Sequence, residues 1–164
     1  MPEPDLTSAD TEAERFARTL LQSGESFSNL LLALLRDPEA SPELRTQACW
    51  LLQILEDKRA VPPLLKIAQD RHADAELRRE ATQALGLLRS KRSVLSLIEI
   101  LLNGDDDEWV RRMAARSLGL LDDPRGGDAL FRVIKDQTVP PEIRGDATEA
   151  LTYFRDVRAV PMLP

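Results

Sequence analysis

The segment ELRREATQALGLL, residues 76–88, returns 33 residues later within EWVRRMAARSLGLL, residues 108–121. A fixed period of this size constrains the fold more than any other feature, because each unit must adopt one local structure and pack on copies of itself. Arg45, Arg78, Arg111 and Arg144 stand one period apart. So do Ala48, Ala81, Ala114 and Ala147, and again Leu52, Leu85, Leu118 and Leu151. Three further columns keep the register: Arg59, Arg92, Arg125 and Arg158; Leu64, Leu97, Leu130 and Leu163; and the turn residues Asp37, Asp70, Asn103 and Asp136.

Each unit reads as two amphipathic helices. Leu44, Ala48, Leu51, Leu52 and Leu55 fall at i, i+4, i+7, i+8 and i+11, the spacing of one apolar stripe on a second helix. On the first helix of the next unit Val61, Leu64, Leu65 and Ala68 lie on one side and Lys66 on the other. Pro62 and Pro63 sit in its opening turn, where a missing N–H costs little, and Pro42, Pro140 and Pro141 open second helices in the same way. The pattern predicts a tail and capping helix over 1–25, with the helix near 8–22. Four repeats follow over 26–156, at 26–56, 60–89, 92–121 and 125–154, and 157–164 begins a further, incomplete repeat. The helix pairs are expected near 26–36 and 42–56, 60–69 and 74–89, 92–103 and 107–121, and 125–136 and 140–154. Helices this short cannot bury their stripes alone. The expected fold is therefore all-α, a right-handed α-solenoid (α-α superhelix) stabilised by contacts between neighbours.

Composition narrows the function. The chain has 43% hydrophobic, 4% aromatic and 30% charged residues, a balance that favours helices over sheet. A net charge of −6 and a pI near 4.9 supply no general basic field for phosphates, so no nucleic-acid partner is expected. The single cysteine, Cys49, precludes an intramolecular disulfide, no Cys/His set suits zinc, and a reducing compartment fits. The start, MPEPDLTSADTEAERF, lacks the basic and apolar regions of a secretion signal, and no apolar run approaches the ~20 residues of a membrane span. No membrane partner is expected.

A period of 33 also suits ankyrin repeats, and 34 suits tetratricopeptide repeats. Neither the T-P-L-H signature nor the Trp/Leu-Gly/Tyr pattern is present. DAELRREATQALGLL (74–88) and DKRAVPPLLKIAQD (57–70) instead resemble the short HEAT-like repeats first associated with phycobilisome lyases, over roughly residues 26–163. That resemblance implies the solenoid fold and a bacterial or archaeal cytoplasmic setting. It leaves function open among scaffolds, chromophore lyase subunits, metal-dependent hydroxylases and sensor regions. The hydroxylases that resemble this repeat hold iron with His-Glu pairs, and no such pair is present, so no metal or cofactor is expected.

Several residues invite a catalytic reading and fit a structural one better. The Arg45 column is expected to donate to turn carboxylates or carbonyls, with the Asp37 column close by. His72, the lone histidine, lies in the loop QDRHADAE with no Cys, Ser or second His at a helpful spacing. Cys49 follows Ala48 on a second helix and reads as a small packing residue. The acidic turn GDDDEW, 104–109, lacks the spacing of a calcium loop. Gly86 and Gly119, late in second helices, are expected to permit close helix approach.

In proteins that resemble this chain, second helices line the concave side of the solenoid. Trp50, Arg79, Leu87, Trp109, Arg112, Met113, Arg116 and Tyr153 fall on or beside that face and are the expected protein-binding residues, since Trp, Tyr and Arg are enriched among binding hot spots. Ile54, Leu87 and Leu120 are read as part of the recognition face, the alternative being the helix–helix boundary, with Trp50 then filling a gap near a helix cap. The expected function is a non-enzymatic scaffold that binds a partner protein or peptide, with no catalytic residues. The alternative is a subunit of a bilin (phycobiliprotein) lyase or chromophore chaperone. The incomplete last repeat would leave an open C-terminal end for self-association or further repeats.

Overall fold

The computed structural model describes residues 27–154, so the helix expected near 8–22 and the stub at 157–164 lie outside the described residues. These residues form eight α-helices and no strand. The first helices of the four pairs are α1 (Phe27–Arg36), α3 (Val61–Gln69), α5 (Val94–Leu102) and α7 (Pro124–Lys135). The second helices are α2 (Pro42–Ile54), α4 (Ala75–Leu87), α6 (Glu108–Leu121) and α8 (Pro141–Thr152). Short 3-10 turns, Lys58–Ala60 and Lys91–Ser93, lead into α3 and α5.

The helix ends follow local chemistry. Ser41, Asp74 and Asp107 cap α2, α4 and α6 by accepting the N–H of Leu44, Leu77 and Val110 at 3.4, 3.0 and 3.1 Å. Proline occupies the first turn of α2, α3, α7 and α8, as the missing N–H allows. After α2, α4 and α6 the chain reverses through Glu56, Arg89 and Asp122, which stand one period apart with φ of 52°, 50° and 49°. This left-handed conformation is costly for a side-chain-bearing residue.

The repeating columns form the core. Leu52, Leu85 and Leu118, Leu64, Leu97 and Leu130, and all four alanines of the Ala48 column are fully buried. Burial of each such leucine contributes about 2 kcal/mol. Leu55 departs from its expected place: it lies past the last turn of α2 and is exposed. Second helices contact one another far more extensively than first helices do, which makes them the inner, tighter layer of the stack. Gly86 and Gly119 permit that approach. A Cβ on Gly86 would stand 2.6 Å from Cβ of Ser117, and one on Gly119 would stand 2.8 Å from the carbonyl oxygen of Ala150. Ser117 also donates its hydroxyl to the carbonyl of Thr82, 2.9 Å away, tying α6 to α4.

The arginine column is structural, and of its two expected kinds of partner it takes carbonyls and not the Asp37 column. Arg45, Arg78 and Arg111 donate to the carbonyls of Leu35, Ala68 and Leu101, each at the end of the preceding first helix, and Arg144 donates to the carbonyl of Val139. The Asp37 column instead closes its own turns: Asp37, Asp70, Asn103 and Asp136 accept backbone N–H groups two residues on. Only Arg78 reaches a carboxylate, and it belongs to the next repeat. Its Nη1 and Nη2 donate to the two oxygens of Asp106 at 2.7 and 2.9 Å, and both side chains are almost wholly buried. Burial opposes ionisation of Asp106. The hydrogen bonds from Arg78 and the Asp107 N–H outweigh it and hold the carboxyl below the usual carboxylate range.

Candidate protein-binding face

Each second helix turns four positions, spaced i, i+4, i+7 and i+11, away from the core. They are Glu43, Gln47, Trp50 and Ile54 on α2; Glu76, Glu80, Gln83 and Leu87 on α4; Trp109, Met113, Arg116 and Leu120 on α6; and Glu142, Asp146, Glu149 and Tyr153 at α8. All are exposed or half-buried except Asp146. Because the unit repeats in register, these positions align into rows across the helices. The row at the helix N-terminal ends is Glu43, Glu76, Trp109 and Glu142, acidic but for one tryptophan. The row at the C-terminal ends is Ile54, Leu87, Leu120 and Tyr153, wholly apolar or aromatic.

Exposure separates the two expectations for this face. Trp50 is 52% exposed, Ile54 55%, Leu87 46%, Trp109 54% and Tyr153 56%, so Trp50 fills no gap and Ile54 and Leu87 are not core. Met113 and Leu120 are half-buried.

The arginines on this face are not free cations. Asp146, a buried carboxylate on α8, accepts Nε of Arg112 at 2.5 Å and Nε and Nη2 of Arg116 at 3.0 and 2.7 Å. The Arg112 guanidinium in turn lies over the Trp109 ring, 4.3 Å from its centroid. Arg112 and Arg116 therefore cross-link α6 to α8, and Arg112 also covers the Trp109 ring. Arg79 pairs with Glu76 on its own helix. A cleft of about 190 Å³ brings Glu76 and Arg79 of α4 against Asp107 and Trp109. Tyr153 and Leu120 line a second cleft, of about 450 Å³, with Arg89, Lys91 and Asp122. The expected residues thus divide: Arg79, Trp109, Arg112 and Arg116 form one linked patch, Tyr153 belongs to the far edge, and Trp50 shares neither cleft.

Glu80, absent from the expected set, lies half-buried in the same face, and its Oε1 has no partner among the described residues. Burial pushes its carboxyl up, with Arg79 opposing and Glu76 adding to the shift. Asp146 was legible only as an acidic residue. Its anchoring role appears in a separation of 34 and 30 residues from Arg112 and Arg116, close to one period.

The groups outside this face have structural roles. Cys49 is fully buried, and burial, reinforced by the charge of Glu80, pushes its thiol up to about 12, which leaves no thiolate for nucleophilic attack. His72 is exposed in its turn. In the acidic turn Asp106 pairs with Arg78 and Asp107 caps α6. No described helix is long and apolar enough to cross a membrane.

Stacked helix pairs with an exposed inner layer define an α-solenoid, a class of repeat protein. A family model for HEAT repeats matches residues 28–108 and 70–152, more than half of the chain, and the chain belongs to that family. A comparison with curated proteins found no match. Among solved structures the chain is similar to the complex of CpcE and CpcF of phycocyanin lyase from Nostoc sp. PCC7120, with 27% identity and a TM-score of 0.66. That match covers 84% of this chain and 57% of the other, so the chain spans little more than half the length of the lyase chain it matches. It is also matched to human deoxyhypusine hydroxylase in complex with glycerol, at 16% identity and a TM-score of 0.34, over 93% of this chain and 88% of that one.

Proposed function

We propose that this chain is a non-enzymatic scaffold that binds a partner protein or peptide through the exposed face of its second helices. The observation that supports this reading is concentration. Five of the eight large hydrophobic side chains exposed among the described residues, including both tryptophans and the tyrosine, lie in these rows. Exposed apolar surface of this kind marks an interaction site. A helix or extended segment laid across α2 to α8 would set apolar side chains on the Ile54–Tyr153 row. Its basic residues would face Glu43, Glu76 and Glu142. Trp109, covered by Arg112, presents an aromatic anchor.

The test compares the native chain with a Trp50→Ala, Trp109→Ala, Tyr153→Ala variant shown by circular dichroism to be folded, both used to capture proteins from the native lysate. A protein retained by the first and lost by the second supports the reading and supplies a defined partner for titration. Equal retention by both would sink it.

The likeness to a phycocyanin lyase chain supports a second reading, a subunit of a bilin (phycobiliprotein) lyase or chromophore chaperone. Mixing with a tetrapyrrole and recording visible absorbance separates the two. A saturable band shift favours the lyase reading, and an unchanged spectrum removes it.

A further inference from the structure

The arginine column carries an incomplete site. At Arg78 the guanidinium is fully engaged: Nε and Nη2 donate to the Ala68 carbonyl at 3.3 and 3.0 Å, and the Asp106 carboxylate takes Nη1 and Nη2. One period earlier the arginine is kept and the carboxylate is lost. Arg45 occupies the place of Arg78, and Ala73 the place of Asp106. Arg45 Nη2 makes a long contact of 3.4 Å to the Leu35 carbonyl, and its Nε is buried without a partner among the described residues. That Nε matches the Arg78 Nε spent on the Ala68 carbonyl and does not mark the carboxylate's place. What Arg45 lacks is a carboxylate on its Nη1 and Nη2 among the described residues, and a half-buried cation without one attracts an anion. One period later Val139 stands in the Asp106 position and packs partly buried against the core.

Ala73 leaves space at its position. A cleft of about 450 Å³ opens there, in the size range of small-molecule sites, with Arg36, Arg45, Lys66, Asp70 and Ala73 around it and Leu35 in its lining. Three cations and one carboxylate surround it, in a chain whose net charge is −6. The Asp70 Oδ1 already accepts the His72 N–H, which directs that carboxylate to its own turn.

We propose that this cleft between α1 and α3 binds a small dicarboxylate, one carboxylate taking on Arg45 the place that Asp106 takes on Arg78. The planar fork of the guanidinium matches two carboxylate oxygens, as the internal pair demonstrates. Arg36 and Lys66, both exposed at the mouth, receive the second carboxylate. The site is built from α1, α3, the turn at Ala73 and Arg45 of α2, none of them in the exposed rows of the second helices, and stands independently of the partner-binding reading.

The test is isothermal titration of the full chain with succinate, acetate and inorganic phosphate at matched ionic strength. Saturable binding of succinate at one per chain, tighter than acetate or phosphate, is the expected result. Arg45→Gln is expected to weaken it at least about tenfold, the loss of a charged hydrogen bond. Ala73→Asp supplies the missing carboxylate from within, so it should abolish succinate binding while raising Tm. Lys66→Gln, at an exposed position, should weaken succinate more than acetate even if the Arg45 variant fails to fold. No saturable succinate binding by the native chain, or binding untouched by Ala73→Asp, overturns the site. Phosphate binding tighter than succinate overturns the ligand class.

Discussion

The junction between the first and second helix pairs and the junction between the second and third share the same arginine, alanine and leucine columns, yet they are held differently. In the later junction Gly86 lets α4 approach Ser117 of α6, and the Arg78–Asp106 pair clamps the outer turns. In the earlier one Gln53 replaces the glycine, with its Oε1 buried and unpartnered among the described residues, and Ala73 replaces the aspartate. The helix contacts are correspondingly less extensive between α2 and α4 than between α4 and α6. Shared columns set the stacking register. Two unshared positions decide whether a junction is sealed or open.

The largest expected effect comes from converting the sealed junction to the open kind. Asp106→Ala leaves the buried Arg78 charge uncompensated and should cost about 3 kcal/mol in urea unfolding. A loss under about 1 kcal/mol would mean that the pair is no stronger than a surface bridge. Next, Gly86→Ala forces a methyl into Ser117 and should cost about 2 kcal/mol. Gln53→Ala at the equivalent place should be neutral or slightly stabilising, because it removes an orphaned polar atom. Equal costs at both positions would erase the difference between the junctions.

Acid sharpens the comparison. Asp106 is held below the usual carboxylate range when folded, so its contribution is complete above the unfolded value of about 3.9 and is lost as pH falls through the lower folded value. The stability gap between the native chain and Asp106→Asn should therefore hold from neutrality to about pH 5 and close in stronger acid. A gap that persisted at the acid end would exclude this pairing as its source. The smallest effect concerns a feature the two junctions share. Glu56→Gly relieves a left-handed backbone and should add about 1 kcal/mol. Arg89→Gly should gain less, since Arg89 also donates to the Leu120 carbonyl. The reverse order would mean that this hydrogen bond contributes nothing.

Much of this was readable before any coordinates. Pro42, Pro62 and Pro141 mark helix starts because their chemistry is local, and the observed boundaries fall within a few residues of the periodic pattern. Gly86, Gly119 and Cys49 could be assigned to packing from their places on the helical stripe. The partner of Arg78 could not: Asp70 and Asp106 are both aspartates in turns, and choosing between them requires knowing which turn the side chain meets. The candidate face was half legible. Trp50 and Tyr153 could be placed on it by phase, but phase does not distinguish an exposed row from a helix–helix boundary. Arg112 and Arg116 could be placed on it too, but their pairing with the buried Asp146 of the next repeat could not be read from phase.

By itself the sequence determined the period, the helix pairs, the buried columns and the rows that repeat across them. All of these follow from side chains a few residues apart on one helix, repeated four times. Only the tertiary structure decided which rows remain open to solvent, which charges are already paired, and where a missing carboxylate leaves a cleft beside Arg45. Each of those depends on how closely one repeat sits on the next, a distance set by the joint packing of side chains some 33 residues apart.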